Sequence, residues 1–285
     1  MNRQQWEVFG TSIRGATHIR SGQSCQDAIS LSEPNETSPF AILAVADGHG
    51  SAKSFRSDIG ATFAVKSAVT ELKRFLAEQG DLSDLSRVKQ MAKDALPKDL
   101  VKKWAAEIRQ DLDAKPLTAA EIDNLEQKDG KCARERVEEN PLVAYGSTIL
   151  ALAIGEGFAL YLQLGDGDIV CVSEQGEPSR PMPVDDRLFA NETTSLCLPK
   201  AWRDFRVQLE VFSSNRPALI MVSTDGYANS YRDDAGFLKV APDILAMIRS
   251  AGTETVRAEL GGWLAETSAE GSGDDITLGL IVRRL

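Results

Sequence analysis

The chain has 285 residues, 42% of them hydrophobic and 26% charged, with a formal net charge of −10. That is enough apolar chain for a sizeable core without disulfide support. The acidic balance and the lack of a basic stripe argue against nucleic acid as a partner, and no apolar run approaches the ~20 residues of a membrane span.

Residues 6–14 read as a strand. Residues 40–46 form a continuous apolar run, as expected of a buried strand. It stops at Asp47-Gly48-His49-Gly50, where two glycines allow a sharp turn and close backbone approach to a ligand. Phe55, Ile59, Phe63, Val69, Leu72 and Leu76 then recur at helical steps. Residues 81–140 are charged, poor in aromatics and punctuated by Pro97 and Pro116. The stripe Val101, Trp104, Ala105, Ile108 and a capping-box signature at Thr118 and Glu121 predict two or three amphipathic helices, with an exposed loop near 128–131. A disordered acidic insert is the alternative, and the apolar stripe opposes it.

From Tyr145 the pattern is strand after strand. Residues 147–154, 158–164 and 168–172 are joined by Gly155-Glu156-Gly157 and Gly165-Asp166-Gly167, joins short enough for hairpins, which predicts an antiparallel meander. Residues 173–204 read as a long loop, often functional in a domain of this kind. Residues 205–212 read as a strand, and residues 218–222 as a buried strand ending at Ser223-Thr224-Asp225-Gly226. Helices follow at about 242–249 and 254–267, and a closing strand, 276–282, begins right after Asp274-Asp275. This order predicts a layered α/β sandwich with much antiparallel pairing, not a doubly wound parallel sheet, in a single domain over 1–285.

Cys25, Cys132, Cys171 and Cys197 form no C-x-x-C pair and match no zinc spacing. They read as reduced packing residues of a cytoplasmic protein. Two disulfides in a secreted protein is the rival, against which stands the polar start at residues 1–6.

Four acidic motifs mark strand ends: Gln26-Asp27, Asp47-Gly48, Asp225-Gly226 and Asp274-Asp275. Taken singly, Asp-Gly is an ordinary turn. Three strand-terminal aspartates in a chain with two histidines, His18 and His49, form a donor set for one or two Mg²⁺ or Mn²⁺ ions. Such ions acidify water and clamp phosphoryl oxygens.

The ordered set of motifs resembles the metal-dependent serine/threonine protein phosphatases of type 2C, in particular a bacterial-type branch. The resemblance rests on Gln26-Asp27, Val45-Ala46-Asp47-Gly48-His49-Gly50, Tyr145-Gly146-Ser147-Thr148, Leu164-Gly165-Asp166-Gly167, Ser223-Thr224-Asp225-Gly226 and Gly273-Asp274-Asp275-Ile276-Thr277. It implies two antiparallel β-sheets flanked by α-helices. It implies two Mg²⁺ or Mn²⁺ ions, with Asp47 bridging them, the Gly48 carbonyl on one, and Asp225 and Asp274 completing the other. Asp27 would reach the metal through water, and Asp166 would join Asp225 at a third, weaker ion. His49 would be the general acid for the departing Ser or Thr oxygen, a role that suits histidine near neutral pH; the alternative is that it packs the turn or hydrogen-bonds to water on the metal. His18 reads as structural.

Two places depart from the family pattern. Many members carry Asn-Glu-Asp or Asn-Gln-Asp where this chain has Cys25-Gln26-Asp27, and Gln26 has no charge to offer, which leaves that part of the metal surroundings to Asp27. Gly22 stands where many members place a phosphate-binding arginine, which leaves Arg20 as the nearest substitute, or as an ordinary solvated side chain. The resemblance implies a cytoplasmic enzyme acting on phosphoserine or phosphothreonine proteins, opposed by a cognate kinase. A catalytically weak phosphoprotein-binding module and a small-molecule phosphoesterase are the alternatives.

Overall fold

The computed structural model describes residues 5–36, 38–80, 82–182, 194–213 and 215–284. In chain order its elements are β1 (Trp6–Ile13), α1 (Ala16–Ser21), β2 (Ala28–Ser32), β3 (Ala41–Ala46) and α2 (Ser57–Glu78). The helices α3 (Leu85–Asp94), α4 (Leu96–Ala114), α5 (Ala119–Asp129) and α6 (Lys131–Glu139) follow, then β4 (Ile149–Ile154), β5 (Phe158–Leu164), β6 (Asp168–Val172) and β7 (Pro178–Ser179). The chain continues with β8 (Arg206–Val211), β9 (Leu219–Ser223), α7 (Asp225–Ala228), α8 (Asp234–Leu238), α9 (Val240–Ala251), α10 (Thr253–Glu270) and β10 (Ile276–Arg283).

The strands form two five-stranded sheets, in the orders β1-β10-β9-β6-β7 and β2-β3-β4-β5-β8, and every pairing is antiparallel. The sheets pack face to face. Leu43, Val45, Leu150, Leu152 and Tyr161 of one sheet meet Val8, Ile220, Val222 and Ile281 of the other in a shared core. Strand alternation sends the intervening residues outward. Ile42, Ala44, Ala151 and Ala153 meet the α2 and α4 helices, with Ala64, Leu72, Leu100 and Trp104 in the same cluster. On the far side Leu219 and Met221 meet Ile244, Leu245 and Leu260 of α9 and α10. Central strands are therefore covered on both faces, which is why they read as continuous apolar runs rather than alternating ones.

The meander expectation is corrected. β4 and β5 do form a hairpin, with Ile149 opposite Leu164, but β6 leaves that sheet and pairs with β9 and β7 in the other. The join Gly165-Asp166-Gly167 is a corner between layers. Gly165 adopts φ +110°, and a Cβ there would lie 2.6 Å from the Thr148 side chain, so the turn tolerates no other residue without strain. The 81–140 region holds four helices rather than two or three. Its capping box is formed: the Glu121 N–H donates to Thr118 Oγ1 at 3.2 Å and the Thr118 N–H to Glu121 Oε2 at 2.7 Å. Within the expected loop of 173–204 lie β7 and a 3₁₀ turn at Ala201–Arg203; residues 183–193 fall outside the described residues. The short helices α1, α7 and α8 were not expected, because four to six residues carry no readable period. The four cysteines are free.

Trp104 fastens α4 to α2. It is fully buried, and its indole N–H donates to the Gly60 carbonyl at 3.0 Å. Trp104→Ala should cost about 3–5 kcal/mol of unfolding free energy, read as a lower denaturant midpoint. A disordered segment would give no change.

Candidate metal centre and active site

The acidic residues meet at one edge of the sandwich because strands end there. Asp47 follows β3. Its backbone N–H donates to Thr148 Oγ1 at 3.0 Å, and the Thr148 N–H returns a bond to the Asp47 carbonyl at 2.8 Å. Gly48 bridges to Ser147, and its N–H donates to the Gln26 carbonyl at 3.1 Å. A Cβ on Gly48 would sit 2.6 Å from the Ser57 carbonyl oxygen and 2.7 Å from that of Gln26, so glycine is required for the close approach. Asp225 opens α7 after β9 and accepts a hydrogen bond from Asn229 Nδ2 at 3.0 Å. Asp27, ahead of β2, accepts the Thr224 hydroxyl at 2.6 Å, while Thr224 Oγ1 accepts the Thr277 N–H at 3.0 Å. One threonine thus ties the ends of β2, β9 and β10 together.

Carboxylate oxygens of Asp47, Asp166 and Asp225 lie within 4.8 Å of one another. Asp166 reaches them from the inter-sheet corner. Asp274 lies beside this triad, in a second group with His18 and Asp275. Burial, and then the neighbouring carboxylates of Asp27, Asp225, Asp166 and Asp274, push Asp47 well above the usual range. Burial likewise raises Asp27 to about 8, against the Thr224 hydrogen bond, and Asp225 to about 6, with Asp166 and Asp274 adding to it. Crowded, half-buried carboxylates of this kind need protons or cations to coexist. An all-oxygen donor set fits hard divalent ions.

Asp275 has a different task. It is buried and accepts the Gly15 N–H and the Gln26 N–H, both at 2.6 Å, with His18 Nδ1 2.9 Å away. It fixes α1 and the Gln26-Asp27 turn against the loop that carries Asp274. Gln26 takes part through its backbone, and its side-chain amide donates to Ser57 Oγ at 2.9 Å. Neither Asp275 nor Thr224 is among the candidate site residues expected from the sequence. The signal was there in the doubled acid before β10 and the hydroxyl before Asp225.

His49 is half-buried beside the triad. Its N–H donates to the Gly146 carbonyl at 3.0 Å, and a Cβ on Gly146 would lie 2.7 Å from His49 Cδ2. Burial holds the imidazole below its ordinary pKa, opposed by Asp166. Arg20 is exposed on α1, where its guanidinium donates to Thr17 Oγ1 at 3.0 Å.

The family model for protein phosphatase 2C matches residues 14–265. The chain belongs to the protein phosphatase 2C family. It is a phosphatase of a family that uses Mg²⁺ or Mn²⁺, and its acidic clusters offer ligands for such ions. Among the solved structures that share the fold are three phosphatases. A bacterial serine phosphatase is 13% identical with a TM-score of 0.58, each chain covering 98% of the other. The Stp1 serine/threonine phosphatase from Staphylococcus aureus is 14% identical with a TM-score of 0.56, over 99% of this chain and 95% of that one. The catalytic domain of the phosphatase PstP, in complex with two manganese ions, is 15% identical with a TM-score of 0.54 over 97% of each. None of the curated protein sequences compared with the chain matches it.

The crowded carboxyls set a pH dependence. In the metal-stripped folded protein Asp27 holds its proton to about 8 and Asp225 to about 6, whereas the unfolded chain releases both near pH ~4. The folded state then binds more protons, so the cluster's contribution to stability falls as pH rises from about 4 to about 8. Thermal unfolding in EDTA should show the melting temperature dropping across this window. Added Mn²⁺ should reverse the drop by binding the folded state, and Asp47→Asn should shrink it. A flat profile in EDTA contradicts the crowding.

Proposed function

We propose that this phosphatase hydrolyses phosphoserine and phosphothreonine in proteins, with Mg²⁺ or Mn²⁺ as cofactor. The observation that carries the reading is the convergence of Asp47, Asp166 and Asp225 beside a half-buried histidine. Asp47, the Gly48 carbonyl, Asp225 and Asp274 would hold two ions, with Asp27 acting through water and Asp166 joining Asp225 at a third. Bound there, the ions supply positive charge for the phosphate and acidify water for attack at phosphorus.

The residues of the chain do the remaining work. The Thr148 and Thr224 hydroxyls and the Asp275 carboxylate keep the ligand-bearing backbone in place, so that little reorganisation is needed during reaction. His49 donates a proton to the departing seryl or threonyl oxygen, which leaves poorly as an alkoxide. Burial makes His49 a stronger and scarcer acid, while Asp166 pulls its protonated form back. Arg20, the arginine closest in sequence to Gly22, is the proposed phosphate contact. Cytoplasmic location, the single-domain organisation over 1–285 with its helical insert at about 81–140, and an opposing kinase belong to the same proposal. Among the described residues no helix is long and apolar enough to cross a membrane.

The test is Mn²⁺-dependent phosphate release from a phosphothreonine peptide. Asp47→Asn and Asp225→Asn should each lower kcat/KM on the order of 10²–10³-fold. A wild type inactive with both metals, or one that cleaves small phosphoesters and no peptide, overturns the protein-phosphatase reading. His49→Ala should lower kcat on the peptide about 10²-fold and spare p-nitrophenyl phosphate, whose leaving group needs no proton. Equal losses on the two substrates remove His49 from the acid role.

A further inference from the structure

A buried arginine links the helices between α2 and β4 to the backbone around His49. Arg56 lies seven positions after His49, just past the 3₁₀ turn at Ala52–Ser54, which α5 and α6 touch. All five of its guanidinium N–H groups are used. Nε donates to Glu121 Oε1 at 2.8 Å and Nη2 to Glu121 Oε2 at 2.9 Å, a bidentate pair. Nη1 donates to the Lys115 carbonyl at 2.7 Å and to the Tyr145 hydroxyl at 2.7 Å, and Nη2 to the Pro116 carbonyl at 3.1 Å. The Tyr145 hydroxyl in turn donates to Asp111 Oδ2 at 2.7 Å.

Both ends of this network touch the backbone that frames His49. The Arg56 N–H donates to the Ala144 carbonyl at 2.8 Å, and its neighbour Ser57 supplies the carbonyl that crowds Gly48. Tyr145 precedes Gly146, which accepts the His49 N–H and supports its ring. Ser54 Oγ closes the loop by donating to the Val143 carbonyl at 3.1 Å.

We infer that Glu121 and Tyr145 are positioning residues for His49: the helical segment acts through Arg56 as a buttress that holds the general acid at the metal edge. The inference rests on the acid role proposed above. The Arg56 pair keeps Glu121 down at about 2. Its contribution is therefore complete above the unfolded carboxyl range and fades only as pH falls towards 2, so the buttress does not titrate at assay pH.

The test compares two substrates. In the Mn²⁺-loaded full chain, Glu121→Gln and Tyr145→Phe should each lower kcat on the phosphothreonine peptide roughly tenfold to a hundredfold, the scale of a small misplacement of a reacting group. KM, the Mn²⁺ concentration for half-activation and turnover of p-nitrophenyl phosphate should stay near wild type, because none of these needs the acid. In a His49→Ala background neither change should lower peptide turnover further. Glu138→Gln, which removes an exposed pair with Arg134 in the same segment, should match wild type on both substrates. Equal losses on both substrates, additive losses with His49→Ala, or no loss at all overturn the inference. If Glu121→Gln fails to fold, Tyr145→Phe, which deletes one oxygen, decides the matter alone. A wild type without peptide activity, or a His49→Ala variant that loses none, overturns the acid reading instead.

Discussion

Mutual repulsion of carboxylates is the constraint around which this molecule is arranged. Asp27, Asp47, Asp166, Asp225 and Asp274 act on one another at one edge of the sandwich, and their charges oppose the fold that gathers them. The opposing force is apolar: two sheets buried on both faces, with helical layers outside. Packing of that extent can hold like charges close, and the energy so stored is available to any cation that neutralises them. Destabilisation of the unloaded site and affinity for hard ions are two descriptions of one arrangement.

Packing alone would not aim the side chains. That is done by hydrogen bonds to groups outside the Asp47, Asp166 and Asp225 triad. Thr148 locks the Asp47 backbone, Thr224 joins Asp27 to the start of β10, and Asp275 binds two backbone N–H groups from separate turns. Each partner is buried or half-buried, where an unmade hydrogen bond is costly. The Arg56 network extends the same logic outward, from the turn after His49 to helices more than fifty residues along the chain.

Much of this was legible in the sequence, and the limits have physical causes. Residues 40–46 and 218–222 were recognisable as strands since both faces of each are buried, and the capping box at Thr118 and Glu121 was visible since caps are local. The candidate ligands stood out because each follows or precedes such a run. The meander failed because Gly165-Asp166-Gly167 has a hairpin's composition, while the choice between turning back and crossing over depends on which partner strand is free. β9, more than fifty residues away, makes that choice. Asp275 and Thr224 escaped notice because their work is done through contacts 249 and 197 positions apart. The same holds for Arg56: nothing in its neighbourhood shows that its acceptors lie on α5, in the approach to it, and at Tyr145 before β4.

The corner at Asp166 has a mechanical meaning. Its two flanking strands belong to different sheets, β5 to one and β6 to the other, whereas Asp47 and Asp225 each ride on a single sheet. The distance from Asp166 to its two neighbours therefore measures the alignment of the layers. Sliding one sheet across the other by an ångström would open that triangle before it broke any strand pairing. Any cation held between Asp166 and Asp225 would in this sense gauge how the whole sandwich is seated.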